Sequence, residues 1–255
     1  MLFTHSITTL EILYLGLAGL IAGTIDTLAG GGGLIALPAI LLTGIPPAVA
    51  LGTNKLQSIV GELNASIHFL HHGKIKIQSI LLGIIFSGTG AILGAIIVRH
   101  IHPTLLNKFI PFLTLSILIY VSFANKFIQP AQSPRLSKNL FFLIFGLLIG
   151  FYNGFFGPGT GSFWVVALMY FLSFDLKQAT LHGKPLNLSG NIASVIYFIA
   201  VGLINYQCVA VMAVGQIIGS LIGARLVMKQ GAKIIKPIFI VSVSIMTIML
   251  FIKNY

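Results

Sequence analysis

The sequence predicts an all-α, polytopic membrane protein of about ten hydrophobic segments, arranged as two inverted five-segment repeats with short glycine-broken helices. Composition is the first reason. Of 255 residues, 56% are hydrophobic and 7% are charged, against about 25% charged in an ordinary globular domain. The chain lacks the polar material for a water-facing surface, and its mean hydropathy of +1.01 agrees. Pattern is the second reason. The apolar runs are continuous rather than alternating, which excludes a membrane β-barrel and disorder alike. At roughly 20 residues per span, the length allows about ten crossings with short loops.

Self-similarity is the third reason. Lys55, Gly61, Ile67, Phe69, Gly73, Gly90, Gly94 and Ala95 recur 129 residues later as Lys184, Gly190, Ile196, Phe198, Gly202, Gly219, Gly223 and Ala224. Upstream, an offset of 127 pairs Asp26 with Asn153, Gly30 with Gly157 and Gly32 with Gly159. One two-residue gap reconciles the halves, the mark of an internal duplication.

Hydrophobic runs between turn signals give segments at 8–28, 34–45, 53–71, 76–98, 104–124, 138–155, 161–174, 181–201, 204–227 and 234–252. The polar stretch 125–137 is expected to be a cytoplasmic linker between a first membrane repeat, 1–124, and a second, 138–255. The N-terminus has no basic n-region and no small-residue cleavage site, so the first segment is expected to stay in the membrane.

If all ten segments change side, Lys74, Lys76, Lys126, Arg135, Lys138, Lys177, Arg225, Lys229, Lys233 and Lys236 share one face, against Arg99, Lys108 and Lys253 on the other. Four crossings per half would erase that bias. The positive-inside rule therefore favours five crossings per half, inverted repeats and both termini outside. On this reading the net charge of +11 sets topology and does not call for nucleic acid. The single Cys208 excludes a disulfide framework.

The second segment of each half is too short to cross a bilayer of about 30 Å. Each follows a glycine cluster: Gly30, Gly31, Gly32 and Gly33 in the first half, and Gly157, Gly159, Thr160 and Gly161 in the second. Broken backbone at membrane depth must be buried or line a wet cavity, and a half-helix N-terminus there suits an oxyanion. The plainer use of glycine is close helix packing; duplication at the only two short segments favours a substrate site. Next come Asn54, Lys55, Gln57 and Ser58, with Lys184, Asn187 and Asn191 in the second half. Lys55 and Lys184 lie outside the basic loops. A lone lysine would read as a snorkelling anchor, whereas a matched pair beside amides reads as an anion site.

Asp26 and Glu62 are the acids placed inside apolar segments, for charge balance first and proton carriage second. His68, His71 and His72 share one helical turn, but an interfacial cap is the simpler reading, and no metal or cofactor is expected. The small-xxx-small runs at 90–95 and 219–224 should hold helices together.

Gly-Thr-Ile-Asp-Thr-Leu-Ala-Gly-Gly-Gly-Gly at 23–33 and Ala-Leu-Gly-Thr-Asn-Lys-Leu-Gln-Ser at 50–58 together resemble the TauE/SafE family of membrane proteins. The run Gly-Phe-Tyr-Asn-Gly-Phe-Phe-Gly-Pro-Gly-Thr-Gly at 150–161 is similar to it as well, and the likeness spans nearly the whole chain. The second copy departs from the pattern in carrying His-Gly-Lys-Pro where the first has Thr-Asn-Lys. The resemblance implies a multi-pass carrier in the bacterial cytoplasmic (inner) membrane for small sulfur-containing anions such as sulfite or organosulfonates, often exporting them. A secondary transporter of that kind would meet a small anion, the lipid bilayer and, as a candidate, a coupling proton or cation. Its glycine run is not followed by the Lys and Ser/Thr of a P-loop. An anion or proton channel stays open as an alternative, as does an intramembrane enzyme using Ser162 and His182, although Gly-Thr-Gly-Ser-Phe is no GxSxG elbow. The sequence leaves oligomeric state open.

Overall fold

The computed structural model describes residues 8–72, 76–127, 131–229, 244–245 and 247–253. Lys74, Lys233, Lys236 and residues 234–243 of the expected tenth segment lie outside them, as do the side chains of Lys126 and Lys229. The described residues form helices α1 (Thr9–Ala29), α2 (Gly33–Leu42), α3 (Pro47–His72), α4 (Leu81–Arg99), α5 (Pro103–Phe127), α6 (Lys138–Phe155), α7 (Thr160–Leu172), α8 (Leu176–Ala200) and α9 (Tyr206–Lys229), with a short 3-10 turn at Ile77–Ser79. Residues 247–253 are also helical, and no strand occurs among the described residues. By length and composition, α1, α4, α5, α6 and α9 each supply a stretch able to cross a membrane, while α2 and α7 are shorter apolar helices.

Two of the four acids act locally as helix caps. Thr8 and Glu11 form a capping box: the Glu11 N–H donates to Thr8 Oγ1 at 3.3 Å, and the Thr8 N–H to Glu11 Oε2 at 2.8 Å. Asp175 caps α8 by accepting the Gln178 N–H at 2.7 Å. Only Asp26 and Glu62 are left for the interior.

Small residues then decide which helices touch. A Cβ on Gly90 or Gly94 of α4 would overlap the backbone of Leu147, Phe151 or Phe155 in α6, and one on Gly150 or Gly154 would overlap that of Ser87 or Ala91 in α4. The pairing of α9 with α1 repeats this with the halves exchanged. Gly219 and Gly223 meet Leu20, Thr24 and Thr27, and Gly19 and Gly23 meet Met212 and Gln216. The small-xxx-small runs therefore do hold helices together, across the two halves rather than within one. Between these pairs lie α3 and α8, which contact each other, with α9 beside α3 and α4 beside α8.

Polarity runs opposite to that of a water-soluble protein. Leu17 of α1, Ile85 and Leu93 of α4, Phe109 of α5, Leu148 of α6, Ile196 of α8 and Val214 of α9 are exposed, whereas Asn54, Lys55, Gln57, Glu62, Lys184, Asn187 and Asn191 are buried. An outward apolar coat over a polar centre fits hydrocarbon as the surrounding solvent.

Candidate functional site

The chain reverses at both glycine clusters. After Gly30, in the left-handed region at φ +70°, the backbone folds onto α1 so closely that a Cβ on Gly32 would overlap Ala22 and Asp26. The second turn uses Gly157 and Gly159 at φ +96° and +85°, values that favour glycine. Tyr152 Oη ties it down by donating to the Pro158 carbonyl at 2.6 Å, and Thr160 Oγ1 donates to the Gly157 carbonyl. The two turns meet. Neither Gly30 nor Gly161 leaves room for a Cβ beside the other, and Gly33 faces Pro158 with Asn54 Nδ2 next to it. The N-termini of α2 and α7 thus lie next to each other. Gly159 instead faces Ile117 of α5. For Gly31 the described contact is its carbonyl, which accepts the Leu34 N–H at 3.0 Å.

The lysines cross between halves in a reciprocal pattern. Lys184 Nζ donates to Asp26 Oδ2 at 2.5 Å and to the Asp26 carbonyl at 2.6 Å. Lys55 Nζ donates to Asn153 Oδ1 at 3.0 Å and to the Asn153 carbonyl. Asp26 and Asn153 are repeat counterparts, as are the lysines, so each lysine of one half binds the counterpart position of the other. The chemistry differs. Lys184 sits in a buried ion pair, and that carboxylate also accepts the Gly32 N–H at 3.3 Å. Lys55, 1% exposed, is held by neutral oxygens and packs on the second turn: a Cβ on Gly157 would lie 2.8 Å from its Nζ.

A chain of amides continues from Asn153. Its Nδ2 donates to Asn187 O at 3.2 Å and to Asn187 Oδ1 at 3.4 Å. Asn187 Nδ2 donates to Glu62 Oε1, and Asn191 Nδ2 to Glu62 Oε2 at 2.9 Å. Gln57 Nε2 donates to Asn54 Oδ1 at 3.1 Å and to Ser58 Oγ at 3.0 Å. The side-chain oxygen of Gln57, Oε1, is buried with no partner among the described residues, an uncommon state for a buried acceptor.

The structure therefore brings together every expected side chain of α3 and α8, with Asp26, around the two glycine turns. It adds Asn153, which holds Lys55, and two residues opposite glycines. Gln216 Oε1 faces Gly23 and Gly61, and Ser87 Oγ faces Gly190 while donating to the Leu186 carbonyl at 2.9 Å. Asn153 was visible in the repeat alignment as the partner of Asp26. Gln216 and Ser87 carry no such signal, since they lie in helices that read as packing. His182 is engaged elsewhere: its Nδ1 lies 2.8 Å from the Gln178 carbonyl and its ring packs edge-on against Phe174.

A helical bundle with an apolar coat, two short helices meeting at glycine turns and buried charges around them has the features of a membrane transport protein. The model of the family "Sulfite exporter TauE/SafE" matches residues 15–250. The chain belongs to the TauE/SafE family of membrane transporters. It is 41% identical over 229 residues to a probable membrane transporter protein of Haemophilus influenzae, covering 90% of each chain. It is 37% identical over 230 residues to the probable membrane transporter protein ORF9 of a Sinorhizobium species, covering 90% of this chain and 88% of the relative. With the probable membrane transporter protein YfcA of Escherichia coli it shares 36% identity over 246 residues, 96% of this chain and 91% of the relative.

Proposed function

We propose that the chain is a secondary carrier of small sulfur-containing anions, such as sulfite or organosulfonates, working by alternating access in the bacterial cytoplasmic membrane. The anion sits where the glycine turns converge, against the Lys55 ammonium and the half-helix N-termini. Lys184, neutralised by Asp26, holds the first turn in place beside it. One observation carries this reading: the reciprocal cross-half binding of the two buried lysines beside the two broken helices. Buried ions are costly without partners and mark pathways, and broken half-helices presenting their N-termini suit an anion. The exchanged contacts support inverted repeats, 1–124 and 138–255, that rock against each other about this centre. Net direction follows the gradients, outward when the anion accumulates inside.

The test is flux into proteoliposomes across a panel of sulfite, methanesulfonate, sulfate and chloride. A carrier gives saturable uptake of a sulfur anion that is accelerated by the same anion inside. Uptake linear in concentration would make the protein a channel instead. Saturable selectivity for chloride would overturn the substrate class.

A further inference from the structure

Glu62 is the one interior carboxylate that the described geometry leaves without a direct cation. Asp26 is paired directly with Lys184 at 2.5 Å. Glu62 is 1% exposed, and its two oxygens are bonded by the side-chain amides of Asn187 and Asn191. An amide can rotate to offer N–H or C=O, so this pair can hold a carboxylate or a carboxylic acid equally well. A lysine partner could not.

Position matters as much. Glu62 and Asn191 are counterparts at the 129-residue offset, and they touch. A two-fold operation that exchanges the halves brings a residue into contact with its own counterpart only at the axis, the place that both faces of a rocking carrier can reach in turn.

Charge balance supplies the rest. Around the centre stand two cations, Lys55 and Lys184, and two carboxylates, Asp26 and Glu62. The empty site is neutral with Glu62 ionised. Adding a monovalent anion beside Lys55 leaves one uncompensated negative charge, costly at membrane depth, unless a carboxylate takes up a proton. Asp26 of α1 and Lys184 of α8 act electrostatically on Glu62, which in turn acts on Lys55 of its own helix. Among the described residues no charged group of α2, α5 or α9 does so; α9 meets this stretch with Gln216.

We infer that Glu62 is the proton site of the carrier: each anion that binds beside Lys55 is accompanied by one proton, taken from water onto the Glu62 carboxylate and released to water on the other side. The loaded site crosses neutral. This rests on the carrier reading above.

The probe is methanesulfonate, which stays ionised throughout the working pH range, so any proton moving with it is carried by the protein. In proteoliposomes with a trapped pH dye, wild-type influx should acidify the lumen by one proton per anion, and the rate should not respond to a potassium-valinomycin potential. Glu62→Gln should keep anion-for-anion exchange but lose acidification. Calorimetric titration of the wild type, above the pH at which the free Glu62 carboxyl ionises and in buffers of different ionisation heat, should give one proton taken up per anion bound. Affinity should then fall about tenfold per pH unit once the free carboxyl is ionised. Zero protons in that titration overturns the proposal without any variant. Acidification that persists in Glu62→Gln also overturns it, moving the proton to Lys55. Potential-driven flux without acidification overturns it while leaving the carrier intact, whereas absence of saturable flux for every anion of the panel removes the carrier reading and this proposal together.

Discussion

The unequal partners of the two lysines predict unequal failures. Lys184→Gln leaves the Asp26 carboxylate buried without its cation. Breaking a buried pair from one side costs about 3–5 kcal/mol, and for a chain of this size each kcal/mol moves Tm by roughly 2–4 °C, giving a drop of roughly 6–20 °C. Lys55→Gln leaves only the carbonyl and side-chain oxygen of Asn153, to which a glutamine amide can still donate. With Glu62 taking up a proton so that no uncompensated charge remains, its stability loss should stay near 1 kcal/mol, the net worth of an ordinary hydrogen bond. Binding should show the opposite order. Loss of a charged hydrogen bond to the anion is worth about 1.5–3 kcal/mol, which is roughly ten- to hundredfold in Kd for Lys55→Gln. Lys55→Arg keeps the charge in another shape, so it should bind with altered selectivity.

The single tryptophan, Trp164, is fully buried in α7, so its fluorescence follows unfolding in detergent without a label. Methanesulfonate titration calorimetry on the same samples gives affinity. Adding Asp26→Asn to Lys184→Gln should recover most of the lost stability, because the orphaned charge is gone. Three outcomes would refute the reasoning: Lys184→Gln melting no earlier than Lys55→Gln, no recovery in the double variant, or parental affinity in Lys55→Gln.

Other substitutions probe the turns, the packing and the topology. Gly157→Ala places a methyl group 2.8 Å from Lys55 Nζ at a φ of +96°, so methanesulfonate binding should fall at least tenfold; parental affinity would show that the second turn does not position the lysine. Gly154→Ala should lower Tm, since its Cβ would overlap the Ala91 carbonyl and overpacking costs about 1–3 kcal/mol. Gly16→Ala has open space in a helix and should gain up to about 1 kcal/mol; equal Tm changes in the two would refute the packing account. For topology, tags at both termini should be reachable from outside spheroplasts and one in the 125–137 linker should not. A terminus and the linker on the same side would rule out five crossings per half.

The fold was legible where composition alone decides. The stretch 138–155 is α6 to the residue, and 8–28 differs from α1 by one at each end. Errors fall where a local device extends a helix into a polar stretch. Helix α8 begins at 176 instead of 181 because Asp175 caps it, and α3 begins at 47 instead of 53 because proline suits the first turn. At 76–98 the chain makes a short 3-10 turn before α4 starts. The candidate cluster was legible as residues that lie near one another, but not as a set of bonds. Lys55 reaches 98 residues along the chain to Asn153, and Lys184 reaches 158 back to Asp26. Spacing on one helix cannot reveal such partners. The seven-residue interval from Lys55 to Glu62 places both on one helical face, but it cannot show that the Glu62 oxygens are held by Asn187 and Asn191 of the opposite half.

The residues at the offset positions explain why the two lysines are not equivalent. At the two paired positions, the first half carries the acids Asp26 and Glu62, and the second carries the amides Asn153 and Asn191. Each lysine binds across to the other half, so the lysine of the second half meets the acid and the lysine of the first meets the amide. A symmetric molecule with aspartate in both places would lock both ammonium groups into ion pairs, leaving neither free for an anion. One with asparagine in both places would bury two cations without direct counterions. The mixed arrangement anchors one lysine in the structure, and on the proposed carrier reading it reserves the other, held by neutral oxygens beside the second glycine turn, for the anion. On this argument Asn153→Asp should act in the opposite sense to Asp26→Asn. It should raise Tm by tightening Lys55 and weaken methanesulfonate binding by occupying the charge that the anion needs. A variant that became both more stable and tighter binding would show that the anion sits elsewhere.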